Sequence, residues 1–257
     1  MNLLPDRRPA ILHGCRAVLF CPFSFGCYNI SHYLCTMQTN YLQSLIAQGE
    51  HQQQDFKYRV QDAVKLARSV SAFANTEGGR LLIGVRDDGV MAGVRSEEEI
   101  YMMHQAAYRY CRPEASIKFD TYHVPAPPVA GVGSRGDLRT IVIATVPRSE
   151  HRPVCALDEQ GRQRAYIRIA DENIVASPVH LRLWRDEQSP RGAAFTYGEA
   201  ERRIISAMQQ PQWQPLQAIV KGARLPRPLV ITLLARFIRY GLAQWTMAEH
   251  QFLFALQ

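Results

Sequence analysis

Ser71-Ala72-Phe73-Ala74-Asn75-Thr76-Glu77-Gly78-Gly79-Arg80-Leu81-Leu82-Ile83-Gly84-Val85-Arg86-Asp87-Asp88-Gly89 carries most of what the chain says about its architecture. Just upstream, Val60, Ala63, Val64 and Ala67 continue onto Ser71 and Ala74 at helical spacing, so one apolar face runs to about Asn75. Gly78-Gly79 stops that helix, because glycine enters the left-handed region at little steric cost. Residues 81–85 form a short apolar run between turn signals, the pattern of a buried strand. Asp87-Asp88-Gly89 then turns the chain into a second expected strand over 90–94, which makes a hairpin.

Elements continue on both sides. Tyr41, Leu42, Leu45 and Ile46 predict a short helix closed by Gly49, and a polar strand-like segment follows at 52–58. Downstream come an expected helix at 97–111, strands at 117–124, 140–146 and 164–169, and a helix at 179–185. The Pro- and Gly-containing stretch 125–138 reads as a mobile insertion. Hairpins mixed with helices predict an α+β domain with a mixed sheet, not the βαβ alternation of a doubly wound fold.

These blocks carry a family resemblance. Gly49-Glu50, Asp55-Phe56-Lys57, the quoted 71–79 segment, Leu82 to Gly89, and Gly93 resemble the Schlafen AlbA-like domain. So does Ala165-Tyr166-Ile167-Arg168-Ile169 with Asn173 and Ala176-Ser177 after it, and the likeness runs from about Tyr41 to Ser177. It implies a DNA-binding module of the kind found in bacterial regulators, and for some eukaryotic relatives an RNA endonuclease. The family's usual Glu before Phe-Lys is Asp55 here, one methylene shorter.

For the endonuclease alternative the resemblance points to a catalytic and metal-binding trio of Glu50, Asp55 and Asp87, with Asp88 as alternate for the third. Hard oxygen ligands converging on Mg²⁺ or Mn²⁺ would activate water, with Lys57 as the cation facing phosphate. Asp-Asp-Gly is equally an ordinary turn, and Glu50 an ordinary helix-end residue. Some relatives carry an ATP-binding label, but no G-x-x-x-x-G-K-[ST] loop occurs here, so neither an ATP site nor any cofactor outside the nuclease case is expected. Arg164 and Arg168 share one face of the expected 164–169 strand, where they would meet phosphate. The competing reading for Arg168 is an ion pair with Asp171 or Glu172.

Charge divides unevenly. Residues 1–36 carry three arginines against Asp6 (+2), residues 37–190 carry 19 basic and 19 acidic side chains (0), and residues 191–257 carry eight against three (+5). A polyanion would be drawn to the last segment. Four of the six cysteines fall before Met37 at spacings that match no zinc pattern, and the histidines form no i, i+4 pair, so no such metal site is expected. Only Cys111 and Cys155 lie in the rest, which disfavours a disulfide-built secreted fold and makes a reducing cytoplasm the expected compartment. No apolar run is long enough for a membrane span. Residues 1–36 keep no period and read as a non-native or disordered leader, with translation starting at Met37.

Residues 37–187 are the expected AlbA-like domain, 188–195 a linker, and 196–257 a small winged helix. Thr196 with Glu199 suits a capping box, a helix at 216–222 follows Pro215, and a third at 229–240 stops at Gly241. Two alternating segments, 242–245 and 251–256, close the order helix, helix, turn, helix, hairpin. On the third helix Thr232, Arg236 and Arg239 share a face, with Arg227 just before it, and this face would enter a major groove. The expected function is therefore DNA binding in a cytoplasmic transcriptional regulator. A metal-dependent ribonuclease and a non-enzymatic sensor or homo-oligomerising module are the alternatives, and DNA is the first expected partner, with RNA second.

Overall fold

A computed structural model describes residues 27–126, 138–188, 197–209 and 213–257, with side chains from Thr36 onward. The fold is α+β. The first sheet has the order β1 (Gln54–Lys57), β2 (Gly79–Ile83), β5 (Leu138–Val146), β4 (Lys118–Pro125). Its β1–β2 pair is parallel and the other two pairs are antiparallel, so the sheet is mixed. A second, antiparallel sheet has the order β3 (Cys111–Arg112), β6 (Cys155–Leu157), β7 (Gln163–Ile169), β8 (Glu172–Val175).

Helix α2 (Ala63–Asn75) lies between the two sheets, and the period of two in the strands explains how. Leu81, Ile83, Val142 and Ala144 point into the core shared with α2 and with α3 (Ser96–His104). The alternate residues Leu82, Ile141 and Ile143 point to the other face, against Leu42 and Leu45 of α1 (Cys27–Ile46). A strand covered on both faces is apolar throughout, which is why 81–85 lacks alternation.

α2 starts where the Asp62 carboxylate accepts from the Val64 and Lys65 N–H groups, an N-cap. It ends at Gly78 (φ +75°), whose N–H donates to the Phe73 carbonyl. A Cβ on Gly79 would lie 2.2 Å from the Phe73 ring, so the glycine pair serves close packing. Two polar side chains on α2's buried face join it to the second sheet. Ser71 Oγ donates to the Val154 carbonyl (2.7 Å) and accepts from Tyr166 N–H (3.0 Å). Asn75 Nδ2 donates to the carbonyls of Val154 (2.8 Å) and Tyr166 (2.9 Å), and its Oδ1 accepts from Val154 N–H (2.8 Å). Each carries buried hydrogen bonds that Ala would leave unmade.

Several expectations are corrected. Residues 90–94 do not form a strand: only a single bridge, Val85 to Met91, is made. Gly84 (φ +97°) turns the chain out of the pleat directly after β2, and its carbonyl accepts from both Ala92 and Gly93 N–H. β2 takes β1 and β5 as neighbours instead. The helix before Gly49 is α1, which starts at Cys27 and so reaches into the stretch read as leader. The 97–111 helix is α3 continued by one π-helical turn, Gln105–Arg109, before β3. Residues 1–26, most of the 125–138 insertion and all but the first residue of the 188–195 linker lie outside the described residues.

The C-terminal part contains α5 (Glu199–Met208), β9 (Gln214–Pro215), α6 (Leu216–Ala223), α7 (Arg227–Arg239), β10 (Ala243–Ala248) and β11 (Gln251–Leu256). β11 pairs antiparallel with both β10 and β9. Ile204, Ile219, Val230, Leu234 and Phe237 pack into its core, with Val179 of α4 (Pro178–Glu187) among them. Thr196, expected as helix cap, lies outside the described residues. Glu201 caps α5 instead, its carboxylate accepting from Gly198 N–H (3.1 Å).

Candidate carboxylate cluster and nucleic-acid interface

Strand β1 places Asp55 and Lys57 on one face, since they are two residues apart. The turn through Gly49 and the bridge from His51 to Gln54 bring Glu50 back over the strand, where its Oε1 accepts from Phe56 N–H (2.8 Å). Burial and a side-chain hydrogen bond with Asp55 push the Glu50 carboxyl above its ordinary range. Lys57 Nζ lies 2.9 Å from Asp55 Oδ2 and also donates to the Phe56 carbonyl. Asp55 is 4% exposed, and its Oδ2 lacks a well-aligned hydrogen bond, so the Lys57 interaction is ionic in character.

Arg168 closes the cluster from beneath. One of its Nη atoms sits 3.5 Å from Asp55 Oδ1, the other donates to Asn173 Oδ1 (3.0 Å), and the guanidinium lies over the Phe73 ring at 5.1 Å. Its side chain is only 1% exposed, so the expectation of a phosphate-facing Arg168 is corrected. Arg164 and Arg168 do share a strand face, but α2 covers the Arg168 end and leaves Arg164 in solvent. The ion pair of Arg168 is with Asp55, not with Asp171 or Glu172.

The expected trio is assembled only in part. Glu50 and Asp55 meet, with Lys57 beside them. Asp87 and Asp88 are exposed on their turn, where Asp88 accepts from Val90 N–H (3.0 Å). Among the described residues no three His, Cys, Asp or Glu side chains are placed to hold a metal ion. Lys57 and Arg168 both pair with the Asp55 carboxylate, and the Lys57 ammonium lies where a divalent cation would need the Asp55 oxygen. The residues present therefore do not fit a three-carboxylate metal centre. The Gly78-Gly79 turn is filled by neighbouring backbone, since a Cβ on Gly78 would stand 2.9 Å from Arg148 N.

In the C-terminal part, the four residues expected to meet DNA divide. Arg227, the first residue of α7, is exposed. Thr232 Oγ1 donates back to the Pro228 carbonyl. Arg236 is 24% exposed and lies 3.8 Å from the Glu201 carboxylate, while Arg239 donates to the Asp186 carbonyl at the end of α4 (2.6 Å). Arg236 and Arg239 thus tie α7 to α5 and α4. Sequence reasoning missed Lys221 and Arg224, both exposed at the end of α6. With Arg227 they surround the three-residue turn between α6 and α7. None of the three side chains forms an ion pair or hydrogen bond with a described residue. The signal was present as Lys221-x-x-Arg224-x-x-Arg227, a basic spacing that straddles Leu225-Pro226.

Among the described residues no helix is long and apolar enough to cross a membrane. No curated protein matches the chain. One solved structure that is similar is the DIP2311 protein from Corynebacterium diphtheriae, at 18% identity and TM-score 0.40, over 70% of this chain. The chain spans 35% of that protein's length. Residues 50–177 match the family described as Schlafen, AlbA_2. The blocks from Glu50 to Ser177, held together by α2 and its Ser71 and Asn75 bonds, thus make up a Schlafen AlbA_2 domain.

Proposed function

We propose that this chain is a DNA-binding protein of the transcriptional-regulator type, whose C-terminal part is a winged helix docking through the α6–α7 turn. The element order α5, β9, α6, α7, β10, β11, with β9 on the hairpin, supports the winged-helix reading. Two helices joined by three residues form the helix-turn-helix, in which the N-terminal residues of the second helix reach base edges. The observation that carries the reading is the exposed, unpaired trio Lys221, Arg224 and Arg227 at that turn.

The wing contributes little. Glu249 and His250 form its tip, both at positive φ (50° and 59°) in a two-residue turn between paired Ala248 and Gln251. A short tip carrying a carboxylate suits phosphate poorly, so the basic turn is the docking face. The AlbA_2 domain has zero net charge over 37–190 and closes its best-placed arginine inside the fold. It acts in this reading as the scaffold and not as the main polyanion surface.

Fluorescence anisotropy with labelled duplexes tests this. Arg227→Ala is expected to weaken binding by about 1–3 kcal/mol and to relax preference at one base pair. Equal binding by wild type and Arg227→Ala on every duplex would remove the reading. Metal-dependent cleavage of structured RNA that Asp55→Asn abolishes would replace it with the ribonuclease alternative.

A further inference from the structure

A cavity of about 520 Å³ opens between the β1–α2 connection, the 92–95 segment, the first turn of α3 and the start of β5. The carboxylate cluster does not line it. Its most unusual group is Glu99, which is 7% exposed and has a carboxylate oxygen, Oε2, with no hydrogen-bond partner. Burial pushes that carboxyl above its ordinary range, and the neighbouring Glu98 adds to the effect. A buried carboxylate left without a partner is costly, and native interiors rarely keep one unless something completes it.

Arg59 and Arg95 are near enough to offset part of that effect, but neither they nor Arg139 makes an ion pair or hydrogen bond with the Glu99 carboxylate. Arg95 reaches the Glu98 carboxylate at 3.3 Å, Arg139 donates one Nη1 to the Met91 carbonyl, and Arg59 lies over the Tyr58 ring at 5.0 Å. All three arginines nonetheless line the cavity, and a guanidinium carries more donors than these contacts use. One wall therefore presents a carboxylate oxygen without a hydrogen-bond partner, and the others present guanidinium forks suited to a carboxylate. Val60 and Val94 supply an apolar stretch between them.

We propose that this cavity binds a zwitterion of dipeptide size, its ammonium on Glu99 and its carboxylate held among Arg59, Arg95 and Arg139. An ammonium suits the Glu99 carboxylate and a carboxylate suits the arginines, so the pairing of opposite ends favours a zwitterion over a molecule that carries only one of the two. The volume falls within the ordinary range for small-molecule sites, roughly 300–1,000 Å³, and a single amino acid would leave most of it to water. The site is independent of the docking turn, so it would serve as an effector site whether or not the DNA-binding reading holds.

Isothermal titration of the full chain with alanyl-leucine, N-acetyl-alanyl-leucine, alanyl-leucine amide and guanosine monophosphate tests this. The free dipeptide is expected to bind. Acetylation and amidation should each weaken it roughly ten- to a hundredfold, the loss that a charged hydrogen bond implies. Glu99→Gln, checked for folding by its thermal transition, should abolish the difference between free and acetylated peptide. Should that variant fail to fold, the three peptides on the wild-type chain still decide. No binding of alanyl-leucine at millimolar concentration, equal binding of the acetylated peptide, or preference for the nucleotide would each overturn the proposal.

Discussion

The AlbA_2 domain and the C-terminal part treat their charges in opposite ways. In the first, the charged side chains at the candidate site are drawn inside and tied. Asp55 and Arg168 are almost wholly buried, Lys57 bridges to Asp55, and the region from 37 to 190 is neutral. In the second, eight basic side chains face three acidic ones, and three cations stand free around one turn. Buried ion pairs hold a particular arrangement and are weak evidence for net stability, because desolvation offsets much of the attraction. Exposed, unpaired cations contribute nothing to folding and are available to a partner. In the proposed reading the contrast separates architecture from recognition within one chain.

The largest expected effect comes from disrupting the tied side of that contrast. Arg168→Ala removes the partner of Asp55 and Asn173 and the cover over Phe73. It should cost about 3–5 kcal/mol in urea denaturation, since it leaves a buried carboxylate with Lys57 alone. Arg164→Ala, on the same strand but exposed, should cost less than about 0.5 kcal/mol.

Next in size is the junction of the two parts. His180 on α4 lies edge-on to Trp245 at 4.5 Å and near Phe252, and its Nδ1 is 2.7 Å from Ser177 Oγ. Burial lowers its pKa from 6.5 to about 4, so the folded protein holds it neutral. Below the ordinary value the unfolded chain binds a proton that the folded one refuses. Stability should therefore fall as pH drops from about 6.5 to about 4, by on the order of 2–3 kcal/mol. Denaturation at pH 7 and 4.5 checks this, and His180→Phe should flatten the difference.

Arg236→Ala probes the same contrast at smaller scale. Its loose pair with Glu201 should be worth no more than about 1 kcal/mol of stability, and duplex affinity should change far less than for Arg227→Ala. The smallest effect belongs to Glu99→Gln. A raised carboxyl pKa means that stability is lost as pH rises from the unfolded toward the folded value. The amide should therefore be at least as stable as wild type at pH 7, as thermal unfolding at pH 4 and 7 will show.

Much of the fold was legible because its determinants are local. The apolar face of α2, the stop at Gly78-Gly79 and the apolar run of β2 follow from period and turn chemistry alone. The hairpin expected after Gly89 failed because a single glycine torsion at Gly84 sends the chain elsewhere, and a one-residue φ leaves no mark on hydrophobic pattern. β6 and β8 were missed for being three and four residues long. At the candidate site, the family resemblance pointed to Glu50, Asp55 and Lys57, which the fold does bring together. Spacing could not tell that Arg168 lies under α2 or that Arg236 and Arg239 point back at α5 and α4, because those are facts of long-range packing. Lys221 and Arg224 were present as a basic spacing with Arg227, but that they surround one turn followed only from where α6 ends and α7 begins.

Recognition through the α6–α7 turn is tested most directly by the salt dependence of duplex DNA binding, for the wild-type chain and for Lys221→Ala/Arg224→Ala/Arg227→Ala. Each cation withdrawn from a phosphate makes the slope of log affinity against log salt shallower by about 0.9. The triple variant is expected to show a slope shallower by about 2 to 3, with unchanged thermal stability. An unaltered slope in that variant, or a greater loss of affinity from Arg164→Ala, would contradict it.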